Sequence, residues 1–275
     1  VPGACALVWV EGADAAGFLQ GLLSNDVLAL GTGASQRALL LDAKGRIQTD
    51  MRVMRDGPEA FTLVVAPEDG ERLVEGLEHH HFSERLDVLG PEPAEVLTVA
   101  GVDAPPDAGA DLVLPGEVPG THDLIGGDAR AMLAAAGLPE APREALEILR
   151  VEAGVPRFGR EYGRTSLVQE AGLERVAVSF EKGCYLGQET VARAQYRGHV
   201  NRGVRGLRSA SPMAPGSPVR VGGRDVGRVT SAVVSPDRGP LALAMLRREI
   251  ADGDAVEVVG EDGERSAVVS PLPHR

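Results

Sequence analysis

From residue 201 to the end, the chain is a series of short alternating segments broken by turn signals, and this constrains the fold more than any other feature. GSPVRV (216–221) and GDAVEV (253–258) each set a glycine ahead of alternating valines. VGRVTSAVVS and LALAML lie between them, and EVVGEDGERSAVV reads as a hairpin. Short strands at this spacing predict a small β-barrel. Upstream, strands and helices are mixed, so the expected fold class is α+β with a C-terminal β-domain.

The earlier part supplies its own periodicities. GFLQGLLSNDVL places Phe18, Leu19, Leu22 and Leu23 at helical spacing and ends in the turn-forming Ser-Asn-Asp. IQTDMRVM and FTLVV flank the turn signal RDGPEA and predict a hairpin. A helix is expected from Glu68 to His80, then short strands at Asp87–Leu89 and Val96–Ala100. PREALEILRVEAG is the clearest helix, with Pro142 at its start, an apolar face of Ala145, Leu146 and Leu149, and Gly154 closing it. RVAVSF alternates Val176, Val178 and Phe180 and predicts a strand. The expected division is 1–200 and 201–275, the first in two lobes with a boundary or insertion within the Gly-, Pro- and Asp-rich stretch 101–127.

With 275 residues and 43% apolar content, the chain has ordinary globular composition. Aromatics make up only 3%, so the core must be built mainly from Val, Leu and Ala. No apolar run approaches the roughly 20 residues of a membrane span. The opening VPGACALVWVEGAD shows no basic leader, so no membrane association and a cytoplasmic location are expected. Cys5 and Cys184 are the only cysteines, which argues against a disulfide scaffold, and no CxxC or HExxH pattern marks a metal site. His79-His80-His81 reads as a solvated helix end. LGTGASQR lacks the third glycine of a dinucleotide loop and reads as a turn.

A net charge of −12 argues against direct nucleic-acid binding. Yet between Lys182 and Arg208 six basic residues face one acid, Glu189. Such a basic island suggests a local anion site, with a solvated helix face and loop as the plain alternative. The island opens on FEKGCYLGQETVAR. If the segment before it is extended, Lys182 and Cys184 project to one face, and an ammonium beside a thiol favours the thiolate. QETVARAQYR reads as a helix supported by Glu189 and Arg193 at i,i+4, which would set Cys184 just ahead of a helix N-terminus. A buried packing cysteine is the alternative.

KGCYLGQETVAR matches the signature K-G-C-[FY]-x-G-Q-E-x-x-x-R, and with it the chain resembles the YgfZ-type folate-binding proteins, relatives of the glycine-cleavage T-protein, an aminomethyltransferase. FLQGLLSNDV, LDAKGRIQTDMRV, LRVEAGVPRFGREY and VGRVTSAVVSP extend the resemblance over nearly the whole chain. It implies a GcvT-like, three-lobed arrangement around a central channel holding tetrahydrofolate or a one-carbon derivative. It also implies a role in assembling or repairing iron–sulfur enzymes, including those that modify tRNA, with iron–sulfur proteins or their assembly machinery as partners. Carried over by position, Cys184 and Lys182 are the reactive pair, and Gln188, Glu189 and Arg193 complete the signature. Glu152 resembles the glutamate that grips the pterin ring, since a carboxylate accepts two parallel N–H bonds from an aminopyrimidine edge; a charged residue on the last turn of a surface helix is its alternative. Asp50 matches one acid of the T-protein's G-x-x-D-D stretch, but Thr49 occupies the other position, which speaks against aminomethyl transfer. A folate-dependent one-carbon or thiol-based transferase is one form the activity takes under this reading. Aminomethyl transfer and an RNA-binding adaptor using Arg193–Arg208 with Tyr196 are the competing readings.

Overall fold

The computed structural model describes residues 1–102, 108–261 and 263–274; residues 103–107, within the expected 101–127 boundary stretch, lie outside them. Two compact units emerge, one of residues 1–141 and 173–193, the other of 142–172 and 194–275.

In the first unit the order is β1 (Pro2–Glu11), α1 (Ala15–Leu22), β2 (Ser35–Leu41), β3 (Ile47–Arg55), β4 (Ala60–Val65), α2 (Gly70–Glu78), β5 (Asp87–Ala100), β6 (Leu112–Pro115), β7 (Thr121–Ile125) and α3 (Ala129–Ala135). The seven strands form one antiparallel sheet in the order β2-β3-β4-β1-β5-β7-β6, so 112–125 extends the same sheet. Strand β3 shows why one face is core: Ile47, Thr49, Met51 and Val53 are buried in strict alternation, leaving Asp50 on the opposite face. Phe18, Leu19 and Leu22 of α1, with Leu23 just after it, bury against Val8 and Val10 of β1 and Met51 and Val53 of β3 in one cluster. Each such side chain contributes about 2 kcal/mol of burial.

The two short strands expected at 87–89 and 96–100 are one strand, β5, paired to β1 along its length with a register shift between Leu7 and Trp9. Gly90 permits the close approach there: a Cβ would lie 2.6 Å from the Leu7 carbonyl oxygen.

The second unit contains α4 (Arg143–Ala153) and α5 (Val168–Ala171), and α6 (Gln188–Tyr196) runs across the join. After it come β8 (Arg202–Ser209), β9 (Pro218–Val221), β10 (Arg224–Ser235), β11 (Gly239–Arg247), β12 (Ala255–Gly260) and β13 (Gly263–Ser270). These six strands close into a barrel in the order β10-β11-β8-β13-β12-β9, as the alternating pattern predicts. Leu207, Val219, Val226, Val229, Ala244 and Val258 fill its interior.

Helix α4 forms where expected and is closed by Gly154 in the left-handed region (φ +69°), but its buried residues are not the predicted apolar face. Leu149 is exposed, while Arg150 and Val151 are fully buried. Val151 packs with Leu241 and Leu243 on the barrel wall, and the Arg150 charge is balanced by Glu147 and Glu161, with a further bond to Ser231 of β10. No helix among the described residues is long and apolar enough to cross a membrane.

Candidate functional site

The segment from Leu173 to Gly187 contains no strand, contrary to the alternation of RVAVSF. Its backbone groups are committed elsewhere. The N–H groups of Val176 and Ala177 turn back onto the Leu173 carbonyl, the Ala177 carbonyl accepts from Ser24 Oγ, and Ser179 N–H donates to the Ser24 carbonyl. Val176 is exposed while Ala177 is buried, so the side chains do not alternate as on a sheet.

The signature itself is docked on the C-terminal end of α1. A helix leaves its last four carbonyls without intrahelical partners, and α1 has no basic residue in its last turn. Lys182 Nζ donates to the carbonyls of Gln20 (2.6 Å), Asn25 (3.0 Å) and Leu23. Leu186 N–H donates to the Gly21 carbonyl, and Gln20 Nε2 returns a bond to the Lys182 carbonyl. An ammonium there also meets the negative end of the helix dipole. Its three N–H donors are thereby occupied. Burial lowers the Lys182 pKa to about 8, against the pull of Asp26. The same ammonium stands 5.1 Å from the centroid of the Tyr185 ring, and burial raises the Tyr185 hydroxyl to about 12.

Two glycine approaches lock the other side of the loop. A Cβ at Gly187 (φ +80°) would lie 2.4 Å from the Asp42 carbonyl oxygen, and one at Gly45 (φ +72°) would lie 2.8 Å from Thr190 Cβ. Gln188, the first residue of α6, accepts from Tyr185 N–H through Oε1 at 3.1 Å and so closes the loop on itself. Cys184, in the middle of this frame, is a free, exposed thiol, whereas Cys5 is buried in the sheet and its thiol is pushed up to about 11 by desolvation. An exposed thiol on a fixed loop can exchange with a partner thiol or accept a transferred group.

The remaining candidate residues sit in different settings. Glu189 and Arg193 pair with each other on the exposed face of α6, at 2.5 Å. Asp50 is gripped by Arg37 through two parallel bonds, Nε to Oδ1 at 2.9 Å and Nη2 to Oδ2 at 2.5 Å. Its neighbour Thr49 is fully buried with no partner for Oγ1, so the second acidic position of the T-protein pattern is a closed one here. Within the basic island, Lys182 is spent inside the first unit, and Arg202 pairs with Glu170 at 2.9 Å in the second.

Glu152 belongs to the second unit, at the end of α4. Its Oε1 accepts from Ser235 Oγ of β10 at 2.5 Å, and its carbonyl accepts from His274 N–H. Arg238 Nη1 donates to the His274 carbonyl, and His274 Nδ1 meets Ser270 Oγ at 3.0 Å. Burial and the adjacent Arg208 lower the His274 pKa to about 4, so its ring is neutral at neutral pH. Sequence reasoning found Glu152 but not Ser235, Arg238 or His274, which come from segments far along the chain. The Glu152 carboxylate fits the N–H edge of a reduced folate's pterin: a carboxylate has about four lone-pair sites, and Ser235 takes one.

Sequence reasoning also missed a buried ion network beside it. Arg150 donates to Glu147 at 2.6 and 3.0 Å, to Glu161 at 3.0 Å and to Ser231 at 2.6 Å, and Ser231 in turn donates to Glu161. Among its signals only the charged cluster in PRFGREY was visible in the sequence.

Residues 202–274 match the model of the glycine cleavage T-protein C-terminal barrel domain. The tRNA-modifying protein YgfZ of Edwardsiella ictaluri is 29% identical across 96% of this chain and 88% of its own length. That of Yersinia enterocolitica is 26% identical across 98% and 90%. The glycine cleavage system aminomethyltransferase T from Bartonella henselae superposes with a TM-score of 0.84 at 21% identity, covering 100% of this chain and 86% of that one. The chain is thus a homologue of the YgfZ proteins along nearly its whole length, built on a GcvT-like α+β fold that ends in a closed six-stranded barrel.

Proposed function

We propose that this protein binds a reduced folate, tetrahydrofolate or a one-carbon derivative, and supports the assembly or repair of iron–sulfur enzymes, tRNA-modifying ones among them. The observation that carries the reading is the frame around Cys184. Lys182, Gln188, Gly45 and Gly187 are all used to hold one exposed thiol in a fixed place. Lys182 positions the loop, and Cys184 is the group offered to a partner protein. The role of Glu152 is to accept the aminopyrimidine edge of the pterin, with Ser235 orienting its carboxylate. The name borne by the YgfZ relatives supports a place in tRNA modification. When bound, the folate would supply one-carbon chemistry; the residues of this chain bind and orient it. An aminomethyltransferase is the second reading, favoured by the fold likeness and disfavoured by the buried, neutral Thr49.

Anaerobic calorimetry with tetrahydrofolate tests the folate site. Saturable binding that weakens at least about tenfold in Glu152→Ala is expected from losing a charge-assisted pair. Cys184→Ala should bind folate as the wild type does yet fail to restore the activity of an iron–sulfur tRNA-modifying enzyme in cells lacking this protein. Full restoration by that variant would remove the thiol from the reading.

A further inference from the structure

The barrel unit contains a cavity that the folate reading does not use. A cavity of about 450 Å³ is lined by the 160–166 loop, the start of β8 and the adjoining ends of β10 and β11. Four arginines line it: Arg160, Arg202, Arg228 and Arg247. Both lining acids are already engaged, Glu161 by Arg150 and Ser231, and Asp225 by Arg220 at 2.7 Å. Strands β8 and β11 set Arg202 directly opposite Arg247. Like charges so opposed weaken a strand pair unless negative charge is supplied. Glu170 answers Arg202, but among the described residues neither Arg247 nor Arg228 has an acidic partner. Arg160 stands 3.8 Å from Glu147, a carboxylate it shares with Arg150 and Arg157. Positive charge therefore exceeds negative on the cavity wall.

The geometry points to a binding site for a small organic phosphate of nucleotide size, held by Arg228 and Arg247. The volume falls within the roughly 300–1,000 Å³ of small-molecule pockets. Guanidinium forks match phosphate oxygens with two parallel bonds. Ser166 Oγ accepts from Gly163 N–H at 3.1 Å and keeps its O–H to donate. Met245 supplies apolar wall for the uncharged part of such a ligand. A nucleic-acid strand would need a basic track along the surface, and a chain of net charge −12 whose arginines here line a compact cavity favours the small ligand over the polymer.

The site is tested with ADP and with a single-stranded RNA 5′-phosphorylated at its end, measured by calorimetry on the full chain. The comparison is with the double variant Arg228→Gln/Arg247→Gln and with Arg85→Gln, an exposed arginine of the other unit. Saturable ADP binding is expected, unchanged in Arg85→Gln and weakened at least about tenfold in the double variant, as loss of charged hydrogen bonds predicts. Thermal unfolding of the double variant near the wild-type midpoint is expected, because both side chains are exposed. No ADP binding up to about 5 mM, a range that covers weak millimolar affinity, overturns the proposal. So does equal affinity in the folded double variant, or binding of the RNA without binding of ADP. Tetrahydrofolate binding by the double variant reads the folate site separately, so failure of one site is told apart from failure of the other.

Discussion

Lys182 Nζ lies 2.6 Å from the carbonyl oxygen of Gln20, a contact across 162 positions of sequence that fastens the signature loop to the end of α1. The lysine next to the cysteine is therefore a clamp. Removing its ammonium leaves the carbonyls of Gln20, Leu23 and Asn25 short of a donor. Lys182→Met should lower the unfolding free energy by about 2–4 kcal/mol, since partly buried acceptors lose charged bonds. Chemical denaturation checks this. A wild-type midpoint combined with slower modification of Cys184 would return the lysine to the role of activating the thiol.

Burial holds the Lys182 pKa at about 8 instead of 10.5. Between those two values the unfolded chain binds more protons at this residue than the folded chain. Its contribution to stability therefore rises with pH across that window. Nitrogen or Cε chemical-shift titration should show one lysine losing its proton near pH 8, absent from Lys182→Met. A single lysine population titrating together at the usual value would contradict the burial argument.

The two cysteines should separate cleanly. A disulfide reagent such as Ellman's should modify one thiol in the native protein, Cys184, and a second only after denaturation. Cys5 is buried and its thiol is held up to about 11, so both access and thiolate fraction are low. Cys184→Ser should abolish the native reaction altogether; a rapid native reaction in that variant would mean that the sheet opens around Cys5.

Some of these elements are legible in the sequence and others are not, for reasons that particular residues show. Helix α1 and the barrel were legible because the apolar residues of each follow a single period and fill a single core cluster. RVAVSF carries a strand's period, but turn bonds to Leu173 and bonds to Ser24 claim its backbone, and nothing in those six letters announces either. The residues of the signature were visible, and the acceptors of its lysine were not, because three carbonyls leave no mark in side-chain identity. Arg150 is the plainest case: one of the bonds that satisfy it goes to Ser231, 81 positions away.

Gly45 and Gly187, where other groups close on the signature loop, should resist a side chain. Gly187→Ala puts a Cβ against the Asp42 carbonyl in a left-handed conformation, and Gly45→Ala does the same against Thr190. Each should cost about 1–3 kcal/mol from backbone strain and displaced packing. Thermal unfolding measures it, with Gly33→Ala as a comparison, since that glycine has positive φ but nothing within 4 Å of its Cβ. Equal losses at Gly33 and Gly187 would show that conformation alone, not close approach, sets the cost.

The Arg150 network should be the most sensitive point of the barrel unit. Arg150 and Glu161 are fully buried and bonded to each other, and Glu147 and Ser231 complete their hydrogen bonds. Removing one member strands the other's charge away from water, which typically costs about 3–5 kcal/mol. Arg150→Met and Glu161→Gln should both fall in that range, whereas Ser231→Ala, which removes a neutral group, should cost about 1–2 kcal/mol. The same cluster sets an acid limit. Burial alone would raise the Glu147 pKa, but the bond from Arg150 and the charges of Arg150, Arg157 and Arg160 outweigh it and hold the pKa below 4.5. The unfolded chain then takes up a proton at Glu147 before the folded chain does. The stability it contributes is complete above pH 4.5 and is lost as pH falls through the folded value. Glu147→Gln should flatten the fall in unfolding free energy on the acid side of pH 4.5 while lowering stability at pH 7. An unchanged acid slope in that variant would place the acid sensitivity on other carboxylates.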